Sequence, residues 1–223
     1  MPHSDDVSRS PRSYQSSLRE ERARETRRRL TDAATEHFLA HGYAGTSLAA
    51  IAGTAGVSVD TVYKTFGSKI GLLKEVLDVT IGGDDRNVPL LERVGPQRLR
   101  RETDQRVQVT LLAAAVAGQL DRVRPLDDIL RSAAAVDREA AALREDIQVR
   151  QRREAMRTIV GWIASRGPLR EGLTVTRAAQ IVWTLTSPEV HQMMRDVGGW
   201  SKRSYREWLE GAIADGILSA NHC

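Results

Sequence analysis

Cysteine is nearly absent: of 223 residues only the last, Cys223, carries a thiol. No disulfide can close within the chain, and a reducing compartment suits it. Aromatic residues are also scarce, at 4%. Both phenylalanines, Phe38 and Phe66, fall in the first third, and all four tryptophans, Trp162, Trp183, Trp200 and Trp208, fall in the last third. That division predicts two separate cores. Long apolar runs are missing too. The longest, Leu111 to Gly118, is far short of the roughly 20 residues needed to cross a bilayer. The first twenty residues are polar and serine-rich with no apolar stretch, so no secretory signal is visible. A soluble, cytoplasmic protein with no membrane partner is expected.

Motifs of catalysis are equally sparse. There is no G-x-S-x-G, no Walker loop and no G-x-G-x-x-G. His37 and His41 have the i, i+4 spacing of a metal pair, but no third His, Cys or acid follows in a ligand pattern. Neither a metal nor a cofactor is expected, and no enzymatic activity.

What is present is helical periodicity and localised charge. The net charge is only +4, too little to argue for a nucleic-acid partner by itself. From Arg9 to Arg29, however, eight arginines stand against three acids, Glu20, Glu21 and Glu25, which makes a basic lead-in to whatever follows. No convincing strand alternation and no repeat of 20–50 residues occurs, so the chain is predicted to be all-α.

The first helix is predicted from about Glu21 to His41, with Leu30, Ala33, Ala34, Phe38 and Leu39 as its apolar stripe and Gly42 as its stop. Thr46 is a good cap for a short second helix carrying Leu48, Ile51, Ala52 and Ala55. Gly56 breaks it, Ser58 caps a third with Val62, Tyr63 and Phe66, and after Gly67 Ser68 caps a fourth to about Thr80. Ile81 to Pro89 reads as a linker. Longer helices then follow at roughly 96–123, 126–136, 138–165, 175–187 and 201–219, punctuated by Pro96, Pro125, Gly167-Pro168, Pro188 and Gly198-Gly199.

Gly42 to Phe66 reads GYAGTSLAAIAGTAGVSVDTVYKTF. Two short helices joined by a tight turn are the elements of a helix-turn-helix. The first braces on the DNA backbone, and the second offers its leading end to base edges in the major groove. Gly42-Tyr43, Thr46-Ser47, Ile51-Ala52, Ala55-Gly56-Val57-Ser58, Tyr63, Phe66, Lys69 and Leu72-Leu73 together closely resemble the TetR family of regulators. Residues 27–77 carry this likeness. Trp183 to Val190 and Gly199-Trp200-Ser201 are similar to one branch of that family.

The resemblance implies an N-terminal three-helix helix-turn-helix DNA-binding domain followed by a C-terminal helical domain for ligand binding and dimerisation. The expected division is a flexible basic tail at 1–19, the DNA-binding domain at 20–67, and the helical domain at 68–223. Within the first domain, Ser58 caps the recognition helix, and Val59, Asp60 and Thr61 face the groove. Tyr63, Lys64, Thr65 and Lys69 suit phosphates, Thr46 and Ser47 hold the opposite backbone, and Arg28 is the candidate from the basic run. Asp60 fits the positive end of the helix as well as it fits a cytosine amine.

For the second domain the resemblance implies a homodimer built on the last two long helices. Their apolar faces carry Ala178, Ile181, Val182 and Leu185 on one, and Tyr205, Trp208, Leu209, Ala212, Ile213 and Ile217 on the other. It also implies a small-molecule effector, for which Val109, Leu112, Val116, Met156, Ile159, Trp162, Ile163 and Trp183 are the candidate lining. A near-palindromic duplex operator and a repressor released by an apolar or amphipathic ligand complete the expectation. Ligand binding would act by shifting the fourth helix. A TetR-like activator, and an interaction protein whose helical domain docks another protein, remain open.

Overall fold

The structure is a computed structural model that describes residues 11–219, with side chains from residue 19 onward. Among the described residues the regular structure is helical: α1 (Pro11–Gly45), α2 (Leu48–Ala55), α3 (Val59–Phe66), α4 (Lys69–Gly82), α5 (Val94–Arg101), α6 (Gln105–Ala134), α7 (Arg138–Arg144), α8 (Arg152–Ala164), α9 (Val175–Leu185), α10 (Pro188–Gln192) and α11 (Lys202–Ile217). A 3-10 turn at Leu90–Glu92 and π-helical segments at Glu145–Gln151 and Met193–Val197 complete it. One isolated bridge, Leu169 to Leu218, is the only extended pairing among these residues. The chain divides into two compact units, Met1–Val76 and Leu77–Cys223, and the division falls inside α4.

In the first unit, Leu30, Ala33, Ala34 and Phe38 bury one stripe of α1. Ile51, Ala52 and Ala55 of α2, Val62 of α3, and Leu72, Leu73 and Val76 of α4 are buried with them. Leu39, expected on the same stripe, lies one residue round the helix from Phe38 and is 51% exposed. Gly42 breaks α1 where expected, with φ +67°. At the other end the helix begins at Pro11, so the expected tail is helical over residues 11–19; its residues 1–10 lie outside the described residues, as does Cys223.

The second unit is built on α6, α8, α9 and α11, with α5 against the first two. Three helical boundaries differ from the spacing. Asp104 caps α6, accepting from the amides of Arg106 and Val107, so the expected helix at 96–123 is split ahead of it. Pro125 does not stop α6, although an internal proline forfeits a backbone bond at about 3 kcal/mol. Leu120, Val123, Leu126 and Leu130 continue one buried face past it, and that burial offsets the loss. Finally, Ser187-Pro188-Glu189 starts a short helix: Ser187 accepts from the Val190 amide, and Pro188 occupies the first turn. The segment expected to be a linker is also more ordered than its glycines suggest. Arg93 bonds the Gly82, Val88 and Arg86 carbonyls and pairs with Asp84 at 2.6 Å.

Two sets of residues take other roles than expected. Six of the ten interface candidates, Ala178, Val182, Tyr205, Leu209, Ile213 and Ile217, are buried inside the protomer. Their apolar faces are spent on packing α9 against α11 and the rest of the core. The small residues serve that packing: a methyl on Gly216 would sit 3.2 Å from Ile181 Cγ2. Ile181, Leu185, Trp208 and Ala212 are half-buried and keep surface outside. The eight residues expected to line an effector pocket also belong to this core. Val109, Leu112, Val116, Met156, Ile159 and Ile163 are buried, with Trp162 and Trp183 packed against them. Open cavities of 580, 300 and 470 Å³ have other linings, the last formed by Leu173, Arg177, Gln180, Ile181, Thr184 and Leu185 on the outer face of α9.

Candidate nucleic-acid interface

α2 and α3 are eight residues each, joined by Gly56-Val57-Ser58. The turn needs a left-handed residue, and Gly56 takes φ +64° with its amide on the Ala52 and Gly53 carbonyls. A side chain there would also crowd Arg29, whose Nη2 would lie 3.2 Å from the added carbon. That guanidinium bonds the Ala55 carbonyl and reaches the Gly56 carbonyl at 3.4 Å, closing the turn from α1. Ser58 caps α3, its oxygen accepting from the Thr61 amide at 3.2 Å. Asp60 in the first turn sits at the positive end of the helix dipole.

Only Val62 of α3 is buried. Asp60, Tyr63 and Lys64 are exposed, with Val59 and Thr61 partly so, and Tyr63 keeps 53% of its surface open. A rigid helix with one buried residue and an outward face of this kind is shaped to enter a groove about 12 Å wide.

The remaining predicted contacts divide by what their polar atoms already do. Ser47, not Thr46, caps α2: its oxygen accepts from the Ala50 amide at 3.1 Å, leaving its own O–H to donate outward. Thr46 is buried, and its hydroxyl bonds the Gly42 carbonyl at 2.7 Å and lies 3.0 Å from that of His37. It locks the α1–α2 corner and has no donor for a phosphate. Lys69 is committed in the same way. Its ammonium donates to the Tyr43 and Thr46 carbonyls at 2.8 and 3.0 Å and lies 4.2 Å over the Tyr43 ring. Thr65 donates to the Thr61 carbonyl at 2.7 Å, and the Thr61 and Ser58 hydroxyls bond each other at 2.9 Å.

Of the three consecutive arginines, two brace the unit. Arg27 donates two hydrogen bonds to the Glu75 carboxylate on α4, from Nε at 2.6 Å and Nη2 at 2.5 Å, and lies 4.8 Å over the Phe66 ring. Arg29 closes the turn. Arg28 stays on the surface, paired with Glu25 one turn away. The surface set is therefore Arg28, Ser47, Val59, Asp60, Tyr63 and Lys64, with Ser58 and Thr61 at its edge. Sequence reading missed the braces Arg29 and Lys69 because their partners lie 23–27 residues away and no local spacing signals them. His37 has a partner too, Thr54 Oγ1 at 2.8 Å. Among the described residues no three His, Cys, Asp or Glu side chains are grouped to hold a metal, and no helix is long and apolar enough to cross a membrane.

Known proteins resemble this chain both in this segment and in overall fold. Residues 30–76 match the family model described as bacterial regulatory proteins, tetR family. No curated protein matches the chain. Among solved structures, a TetR-family regulator from Mesorhizobium loti is similar at 20% identity, covering 87% of this chain and 96% of its own, with a TM-score of 0.66. NalD of Pseudomonas aeruginosa, described as the secondary repressor of the MexAB-OprM multidrug efflux pump, is similar at 23% identity over 89% and 98%, with a TM-score of 0.66. FadR of Bacillus subtilis, solved with stearoyl-CoA, is similar at 18% identity over 85% and 98%, with a TM-score of 0.65. At these identities the likeness is one of fold.

Proposed function

We propose that this chain, a TetR-family protein by its segment at residues 30–76, is a cytoplasmic transcription regulator that binds a near-palindromic duplex operator as a homodimer. In this reading it represses by occupying the operator and is released by a small-molecule effector. The observation that carries it is the capped, braced α3, whose outward residues are free while the residues around its turn are locked. Repression has a parallel in NalD, named as a repressor, and the binding of a small molecule has one in FadR, solved with stearoyl-CoA.

Dimerisation follows from the geometry of recognition. One eight-residue helix reads only a few base pairs, so two copies about one DNA turn apart multiply both affinity and selectivity. The surface of α9 and α11 that remains for a two-fold contact is Ile181, Leu185, Trp208 and Ala212. An effector that couples by about 1–3 kcal/mol lowers operator affinity 5- to 150-fold.

The test is a mobility shift with duplex DNA flanking the gene, comparing substitutions on the two kinds of contact. Tyr63→Ala should weaken every retained sequence alike, by about tenfold. Val59→Ala should change the preference among sequences at single base pairs, by about 1–3 kcal/mol each, with little effect on non-specific retention. Identical behaviour of the two variants would refute the assignment of α3 to the groove.

A further inference from the structure

The second unit holds a group of buried polar side chains that operator binding leaves unused. Tyr205 on α11, His191 on α10 and Gln148 in the π-helical segment are 1%, 2% and 8% exposed. Yet the Tyr205 hydroxyl, His191 Nδ1 and Gln148 Oε1 have no hydrogen-bond partner, and neither has Arg152 Nε at the start of α8. Leaving such a group unmet when buried is costly, and folded proteins retain few of them without a reason.

These side chains are fixed by their other ends. Gln148 donates to Asp127 at 2.8 Å, and His191 Nε2 lies 3.3 Å from Asp121. Arg152 donates to the Trp183 carbonyl at 2.6 Å and to the Thr186 hydroxyl at 3.2 Å, with its guanidinium 4.9 Å over the Trp183 ring. Trp183 in turn donates from Nε1 to the Gln148 carbonyl at 3.1 Å. The His191 ring meets Tyr205 edge-on at 4.9 Å. Burial pushes the Tyr205 hydroxyl far up from its ordinary range, Asp121 adds to that rise, and the Arg152 charge opposes it.

The charge balance is uneven. Among the described residues no carboxylate forms an ion pair with Arg152. Glu189 is taken by Arg144 at 2.6 Å, and Asp121 by His191, Arg195 and Lys202. Burial lowers the Arg152 guanidinium to about 10, with Glu189 and Asp127 opposing the fall. The backbone marks the same place. The π-helical segment Glu145–Gln151 carries Gln148 and leads directly into Arg152, and the second, Met193–Val197, follows His191 by two residues. Such segments are rare and concentrate at functional sites.

We propose that Arg152, Tyr205, His191 and Gln148 form the effector site and take a small monocarboxylate that also carries a hydrogen-bond donor. Arg152 has no ion-pair partner of its own among the described residues, but Glu189 and Asp127 already offset part of its charge, which suits one negative charge, a carboxylate, better than the two of a phosphate. The unmet donors Arg152 Nε and Tyr205 O–H suit its oxygens, and Gln148 Oε1 suits its donor. The proposal rests on the effector-released regulator above and names the class of its effector. It also departs from the apolar lining expected from the sequence, whose residues are core.

The test uses the full chain with 4-hydroxybenzoate, salicylate and 3-hydroxybutyrate, each against its neutral amide at matched ionic strength. Expected is a saturable rise in Tm with at least one carboxylate and none with its amide. Arg152→Met should raise the half-saturating concentration about tenfold to 100-fold, and Tyr205→Phe about three- to tenfold. Because Tyr205→Phe deletes an unmet hydroxyl, the ligand-free Tm should hold or rise, which keeps the test independent of any folding defect in Arg152→Met. No rise with any carboxylate, a rise that survives both substitutions, or a lower ligand-free Tm in Tyr205→Phe would each overturn the proposal. Duplex retention by the same samples separates the two readings. Ligand-free retention without any carboxylate effect sinks the effector site alone. A carboxylate-dependent rise without retention of any duplex sinks the regulator and leaves the site standing.

Discussion

Raising salt from 50 to 200 mM should lower the operator affinity of the proposed dimer by about 150-fold. The magnitude follows from which cations lie on the surface and can turn to phosphates. Lys64 is exposed on α3, and Arg28 lies on the surface of α1, where its pairing with exposed Glu25 is worth little against a phosphate. Two such contacts per protomer give about four per dimer, and a slope of about −0.9 per contact gives about −3.6 in log affinity against log salt. Lys64→Ala should reduce the slope to about −1.8. Lys69→Ala should leave it unchanged, because that ammonium is spent on the Tyr43 and Thr46 carbonyls. Titrations of a labelled duplex at four or five salt concentrations measure all three slopes. A slope near −5.4, falling when Lys69 is removed, would show that the lysine swings out to the backbone and that the brace is not its role.

Phe38→Ala should abolish the proposed duplex retention by unfolding the first unit while the second stays folded. The ring is fully buried and stacks on Tyr43 with centroids 6.1 Å apart. Truncating a buried Phe costs about 3–5 kcal/mol. Folded units have only about 0.05–0.15 kcal/mol per residue in total, so a unit the size of Met1–Val76 loses most of its margin. The neighbouring change, Leu39→Ala, should cost less than about 0.5 kcal/mol, since Leu39 is half in solvent. Helical circular dichroism through a thermal ramp should show an early partial transition for Phe38→Ala and a wild-type curve for Leu39→Ala. Equal losses would mean that the core of this unit has been drawn on the wrong face of α1.

That contrast indicates how far the sequence could be read. Local signals held where the physics is local. Gly42 and Gly56 stop helices because a left-handed residue is needed there, and Ser58 caps α3 because its oxygen reaches an amide three residues on. Thr46 and Ser47 are adjacent and chemically alike, so spacing could not say which one caps α2. The hydroxyl of the other turned out to lock a corner. Apolar faces were found on α9 and α11, but an i, i+3, i+4 stripe looks the same whether it meets its own core or a second copy. Tyr205, Leu209 and Ile213 went inward, while Trp208 and Ala212 keep some surface. Pro125 was read as a stop because the sequence cannot weigh one lost backbone bond against a buried face that continues beyond it. The polar side chains Gln148, Arg152, His191 and Tyr205 give no signal for another reason: they stand on four helical segments, and only folding buries them with polar atoms unmet.

The central claim, that the leading end of α3 lies in the major groove, is tested most directly by methylation interference at guanine N7 on an operator fragment. The account predicts two clusters of interfering guanines separated by about 10 base pairs, or a multiple of that, related by the two-fold of the site. Undisturbed binding to fully N7-methylated duplex, with interference confined to adenine N3 in the minor groove, would contradict it.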